Sequence, residues 1–110
     1  MNLRINSNSL RFRLSKVETS TLDQLGILTE TVNLGDVSLT FSLEKSVQDH
    51  IGIKFEDNHI LVSIPTITLS EWVHSNQNKI ETTIESINHP STSIIIEKDL
   101  FDEKKRKRKG

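Results

Sequence analysis

The sequence contains no cysteine, no tyrosine and no alanine. Without cysteine the chain can form neither disulfides nor thiolate metal sites, and it has no thiol nucleophile. Alanine is the best helix former, so its absence argues against a bundle of helices. No apolar run approaches the roughly 20 residues that a membrane-spanning helix needs, and polar residues interrupt the start too often for a signal peptide. We therefore expect a soluble, cytoplasmic protein.

Residues that favour strands are abundant instead. Valine, isoleucine and threonine together number 29 of the 110 residues. Their branched side chains fit the pleated surface of a sheet. Leucine and phenylalanine add enough apolar volume for one globular core. The composition predicts a mainly β domain over residues 1–101.

Charge is distributed unevenly along the chain. Residues 1–103 carry 8 basic and 15 acidic side chains, which gives this part a charge of −7. The last residues reverse the sign with six consecutive cations: Lys104, Lys105, Arg106, Lys107, Arg108 and Lys109. Such a run cannot bury itself. We expect residues 102–110 to form a disordered charged tail that is basic from residue 104.

Alternating apolar residues around short turn sequences predict four β-hairpins. The predicted turns are Ser7-Asn8, Gly35-Asp36, Asp57-Asn58 and a longer loop around Pro90. In the first hairpin a two-residue turn places Leu3 opposite Phe12 and brings the apolar residues to one face. In the third hairpin the same logic places Phe55 opposite Ile60.

Two segments have the pattern of a helix start. The four residues from Ser15 form a capping box, which predicts a helix over Ser15–Leu25 that ends at Gly26. The four residues from Thr68 have the same form and predict a second helix over Thr68–His74.

Eight strands with one apolar face must close or fold over to cover that face. We therefore expect an antiparallel meander of about eight strands that forms a small barrel or a two-layer sandwich, with two short helices. No internal repeat is evident in the sequence.

Several short segments have a characteristic order and spacing: Leu3-Arg4-Ile5, Ser9-Leu10-Arg11-Phe12-Arg13-Leu14, Glu30-Thr31-Val32, Leu43-Glu44-Lys45-Ser46, Phe55-Glu56-Asp57-Asn58-His59-Ile60, Ile64-Pro65, Glu71-Trp72 and Ile96-Glu97-Lys98-Asp99-Leu100. Together they resemble a family of short, uncharacterised bacterial proteins of the Bacteroidetes type, over about residues 1–101. The resemblance implies a single cytoplasmic domain with no assigned activity. Relatives tend to carry a cysteine and an acidic, proline-containing tail where this chain has Phe101-Asp102-Glu103 and the basic run.

Three arginines form the first candidate site. The hairpin register places Arg4, Arg11 and Arg13 on the face opposite the apolar residues, with Arg4 directly across from Arg11. Opposed cations are unfavourable unless an anion lies between them. They could grip a phosphate or carboxylate, or they could simply form a solvated face.

Two charged residues fall on predicted apolar faces. Glu30 lies in phase with Leu28 and Val32, and Lys98 lies in phase with Ile94 and Ile96. Buried charges must pair, shift their pKa or reach a wet rim. A pair between Glu30 and Lys98 is one interpretation, and two independent rim positions are the other.

No nucleophile–base motif, phosphate-binding loop or metal-ligand spacing is present in the sequence, and no cofactor is implied. The sequence favours a small, non-enzymatic binding or interaction module whose partner it does not identify. One alternative is a tunnel-barrel enzyme with a phosphate ligand or a metal, lined by residues such as Arg11, Arg13 and Glu97. Another is a nucleic-acid accessory protein, in which residues 104–109 bind nucleic acid or another anionic surface non-specifically.

Overall fold

A computed structural model describes residues 1–99, so the basic tail predicted at residues 104–109 lies outside the described residues. The described part contains eight strands and two helices. In chain order they are β1 (Asn2–Asn6), β2 (Ser9–Leu14), α1 (Lys16–Leu25), β3 (Ile27–Leu34), β4 (Val37–Ser46), β5 (Gly52–Glu56), β6 (His59–Pro65), α2 (Thr66–Val73), β7 (Lys79–Ile84) and β8 (Thr92–Lys98). Neither helix has the length and apolarity needed to cross a membrane.

The strands form two four-stranded sheets. The first has the order β1-β2-β8-β7 and the second has the order β3-β4-β6-β5. In each sheet the two central strands run parallel, β2 with β8 and β4 with β6. The prediction of an antiparallel meander is therefore wrong, and the sheets form a sandwich-like pair rather than a closed barrel. The alternation of inward and outward side chains predicts each hairpin, but it is the same whichever hairpin lies beside it. The sequence pattern therefore could not identify the parallel neighbours.

The chain consists of two units, each with a hairpin, a helix and a second hairpin in that order. Residues of the first hairpin and helix correspond to residues 50 positions later, as Leu3 does to Ile53 and Leu22 to Trp72. Each sheet takes one hairpin from each unit. The interpretation that the chain lacks an internal repeat is thus wrong at the level of the fold. Few side chains are identical between the units, because a sheet needs apolarity at alternate positions rather than particular residues.

The predicted hairpins and their registers are confirmed. Leu3 pairs with Phe12 in the first hairpin, and Phe55 pairs with Ile60 in the third. The turn residues Ser7, Asp57 and Asn58 have positive φ values between 52° and 58°. Short polar side chains tolerate this conformation better than branched ones do.

One predicted helix start is confirmed and the other is wrong. Ser15 and Glu18 form both bonds of a capping box, and α1 ends at Gly26 with φ 81°. Helix α2 begins two residues before the predicted start, directly after Pro65, and no side chain caps it. Because strand β6 ends at Pro65, the helix starts at once, and the Thr68 capping pattern falls inside it.

The core lies where both helices meet the inner faces of the two sheets. Trp72 is fully buried, and its ring nitrogen donates a hydrogen bond of 3.0 Å to the Asn78 carbonyl. Phe12 and Phe41 meet across the two sheets with ring centroids 6.4 Å apart. The other buried apolar residues of this cluster are Leu14, Leu22, Leu43, Val62, Ile64, Leu69, Ile80, Ile94 and Ile96.

Candidate anion-binding site

The first hairpin places three arginines on the outer face of the first sheet. Leu3, Phe12 and Leu14 point to the core, so the alternating positions between them point outward. Arg4 lies directly across from Arg11, as the register predicts, and Arg13 lies two residues further along β2. The structure therefore brings together all three arginines singled out from the sequence. We call Arg4, Arg11 and Arg13 the arginine face.

Glu97 on β8 is the carboxylate that partly balances this charge. It lies beside Arg13 in the parallel pairing of β2 and β8. The Arg13 Nε donates to Glu97 Oε1 at 3.1 Å, and a second Arg13 nitrogen lies 3.0 Å from the same oxygen. A nitrogen of Arg11 lies 3.9 Å away. Glu97 is only 8% exposed, so two guanidiniums share one nearly buried carboxylate.

No carboxylate among residues 1–99 balances the positive charge of Arg4. Among residues 1–99 it makes no ion pair and no side-chain hydrogen bond. Together with Arg11, Arg13 and Asn2 it lines a small surface depression. The three guanidiniums and one carboxylate give this patch a net charge of about +2, on a body whose overall charge is negative.

The second sheet has no counterpart of this patch. The position equivalent to Arg4 is Lys54, which is paired with Glu56 at 3.2 Å. The positions equivalent to Arg11 and Arg13 are Leu61 and Ser63. Because the second unit forms the same hairpin without them, the repeated fold does not require the arginines.

Sequence reasoning named Glu97 only as a lining residue of a tunnel and missed its ion pair with Arg13 on the outer face. The parallel neighbour of β2 comes from the far end of the chain, and antiparallel hairpin patterns give no sign of it. The sequence does hold one signal for it. Glu-Lys occurs twice, at residues 44–45 and 97–98, and these pairs occupy equivalent ends of β4 and β8, the strands that lie parallel to the second strand of a hairpin.

Glu30 lies at the edge of the apolar face, with its side chain 42% exposed. Its Oε1 accepts a bond of 3.1 Å from the Met1 amine, which Glu18 also contacts. Burial lowers the pKa of the Met1 amine, but the hydrogen bonds to Glu18 and Glu30 outweigh it and raise that pKa overall.

Lys98 does not pair with Glu30 and belongs to the other sheet. Its Nζ donates 2.9 Å to the Ser75 carbonyl just beyond α2, and lies 5.5 Å from the centre of the Trp72 ring. Burial lowers the pKa of Lys98. The equivalent Lys45 of β4 contacts the Asp23 carbonyl near the end of α1. Each helix has no basic residue in its last turn, and in each unit a strand lysine supplies the cation there.

Ser42 and His59 are in contact within the second sheet, with Ser42 Oγ and His59 Nε2 at 2.8 Å. Ser42 is fully buried, so its hydroxyl is inaccessible to a substrate, and Thr29 holds it from the other side at 2.9 Å. The pair therefore acts as a structural bond. Within residues 1–99 no three acidic or histidine side chains converge as a metal site would require.

A cavity of about 410 Å³ lies between the two helices and the end of β8. Its charges of both signs already have partners. Asp23 contacts His74 at 3.1 Å, and Lys98 is held by a backbone carbonyl. The cavity therefore has no excess of charge of one sign that would select a ligand, whereas the arginine face has an excess of positive charge.

Comparison with known proteins gives one match. A family model matches residues 1–108, and it is described as a family of unknown function, DUF7009. No curated protein and no solved structure matches the chain. The comparison agrees with the resemblance to a family without assigned activity.

Proposed function

Because the chain belongs to the DUF7009 family, which has no known function, we propose its role from geometry: a non-enzymatic binding module that holds an anionic group on the arginine face. Arg4 and Arg11 lie directly opposite each other on the adjacent strands β1 and β2. Among residues 1–99, Glu97 is the one carboxylate that pairs with any of the three arginines. Guanidiniums present donors in a planar fork that fits the oxygens of a phosphate or a carboxylate. An anion between Arg4 and Arg11 relieves the repulsion of the opposed cations.

The apolar interior supports a binding role over a tunnel enzyme. Such an enzyme needs charged side chains that converge inside the fold. Here Arg11, Arg13 and Glu97 lie on an outer face, and the interior is filled by aliphatic and aromatic side chains. The charge of Arg4, which no carboxylate among residues 1–99 balances, is the observation that carries the proposal.

The test is a titration of the ¹⁵N-labelled protein, followed by NMR, with sodium phosphate and separately with sodium citrate. Sodium chloride of matched ionic strength serves as the reference for each. We expect saturable shifts of β1 and β2 amides, and Arg4→Gln should weaken the apparent affinity about tenfold, as loss of one charge-assisted contact predicts. Comparing the two anions distinguishes phosphate from carboxylate recognition.

Lys54→Gln is the matched control, since it removes a cation at the equivalent position of the other sheet. It should leave the affinity unchanged. Equal binding by wild type and Arg4→Gln would contradict the proposal, as would shifts that chloride reproduces.

The basic tail supports a separate proposal that rests on the sequence alone. Residues 104–109 could bind nucleic acid by neutralising phosphates, and such binding should weaken steeply with salt and ignore base sequence. A chain that ends after Glu103 separates this activity from the arginine face. From the sequence alone we also propose a cytoplasmic location and a bacterial origin for the protein.

A further inference from the structure

One hairpin of the second sheet extends beyond the strands that support it. Strand β4 pairs with β6 only from Thr40 onward, so Val37, Ser38 and Leu39 pair with β3 alone. The equivalent hairpin of the other unit is shorter, with strands of 6 and 7 residues against 8 and 10. The repeated fold therefore forms without this extension.

The extension has one uncharged apolar face. Val32, Leu34, Val37 and Leu39 share it, and we call these four residues the ribbon face. The side chains of Val32, Leu34 and Val37 are 43%, 58% and 52% exposed. A two-stranded ribbon is marginally stable in water unless its apolar face is covered. A partner surface that covers the ribbon face would therefore stabilise it.

The size of the patch fits a dimer interface. With Phe55, which is 64% exposed on the same face of the sheet, the ribbon face presents on the order of 500 Å² of apolar surface, the size of the largest patch on a typical monomer, which is often functional. The apolar share of a standard interface, roughly 65% of about 800 Å² on each partner, has the same size.

The outer face of β3 lacks the cations that the other edge strands carry. Edge strands β1, β5 and β7 carry Arg4, Lys54 and Lys79 on their outer faces, whereas β3 carries only uncharged side chains there: Thr29, Thr31 and Asn33. Cations on edge strands discourage association of identical chains. Across a two-fold axis the same patch meets its own copy, so like charges would face each other. The four residues of the ribbon face carry no charge; the charged neighbours in the hairpin are Glu30, which binds the Met1 amine, and Asp36 in the turn.

From these observations we infer that the ribbon face binds the ribbon face of a second copy of this chain, in a two-fold symmetric dimer. The apolar side chains of the two ribbons pack against each other and cover the surface that each monomer leaves exposed. The arginine face lies on the outer side of the other sheet, so it stays accessible in both copies. The dimer would present two anion sites, and its existence does not depend on them.

Sedimentation velocity of the full chain from about 1 to 200 µM tests the inference, because this range resolves a dimer with a micromolar dissociation constant. We expect a concentration-dependent dimer that 0.5 M salt does not weaken, since an uncharged interface is not screened. Leu34→Lys should raise the dissociation constant at least about tenfold. Val37→Thr, which changes shape little, should weaken it in the same direction and guards against misfolding of the lysine variant.

Ile87→Lys is the control, because Ile87 is fully exposed in the connection of the equivalent hairpin β7–β8. It should dimerise as the wild type does. A wild type that stays monomeric at 200 µM would overturn the inference, in which case the ribbon face serves another partner or none. Dimers that dissolve in salt, or that survive both ribbon variants, would also overturn it.

Discussion

Glu18 and Glu71 occupy the same position in two capping-box patterns, one that starts at Ser15 and one at Thr68. Only Glu18 has the predicted contacts. Glu18 accepts from the Ser15 amide at 3.0 Å and contacts the Met1 amine. Burial raises its pKa, but these hydrogen bonds outweigh burial and hold the pKa of Glu18 below its ordinary value. Glu71 lies exposed within α2. A capping pattern therefore forms its hydrogen bonds only where its first residue immediately precedes the helix, as Ser15 does and Thr68 does not.

This difference gives a prediction at the scale of single residues. Glu18→Gln should lower the free energy of unfolding at pH 7 by about 0.5–1 kcal/mol, since glutamine keeps the cap but loses its charge, and solvent screens part of the effect. Glu71→Gln should change it by less than about 0.5 kcal/mol. Urea unfolding of both variants measures the two values.

The lowered pKa of Glu18 sets the sign of the pH dependence. A carboxyl group with a depressed pKa stabilises the folded state above its ordinary value of 4.5, and this contribution is lost as the pH falls below that value. The deficit of Glu18→Gln relative to wild type should therefore shrink below pH 4.5. A deficit that stays constant from pH 7 to pH 3 would contradict the ionised contact.

At the scale of elements, the end of α1 depends on the backbone of one glycine. Gly26 adopts φ 81°, and its amide donates to the Leu22 carbonyl at 2.9 Å. A Cβ there would meet only Lys45 Cδ at 3.8 Å, so the cost of a side chain is conformational rather than steric. This ending directs the chain from α1 straight into β3.

Gly26→Ala should therefore lower the free energy of unfolding by about 1 kcal/mol. Gly52→Ala is the control, because Gly52 does not have a positive φ and a Cβ there would lie 3.6 Å from Ser63 Oγ, an ordinary contact. It should be neutral or slightly stabilising, since glycine weakens a strand. Thermal unfolding compares the two. Equal losses would mean that Gly26 is not held in the left-handed conformation.

At the scale of the whole molecule, the two units depend on each other. The first unit contributes β1 and β2 to one sheet and β3 and β4 to the other, and each pair is completed only by strands of the second unit. Isolated hairpins are marginal in water. The repeat is thus a single cooperative structure and not two adjacent modules.

Fragments cut in the connection between β4 and β5 test this interdependence. Residues 1–49 alone and residues 50–110 alone should lack cooperative unfolding, because neither contains a complete sheet. An equimolar mixture should regain strand signal by circular dichroism and dispersed NMR amide signals, as the parallel pairs re-form. Cooperative folding of residues 1–49 alone would contradict the conclusion that each sheet needs one hairpin from each unit.

The sequence by itself determined the local structure of this protein. Alternation of period two and the turn residues defined the hairpins, and Ser15, Glu18 and Gly26 defined α1, because these signals act between residues close in the chain. The same alternation placed Arg4, Arg11 and Arg13 on one face. Only the tertiary structure decided that β2 lies beside β8 and β4 beside β6, which brings Glu97 to the arginine face and leaves the ribbon face uncovered. Parallel neighbours are distant in sequence and leave no local pattern, because the pleat of a strand is satisfied equally by any apolar neighbour on its inner face.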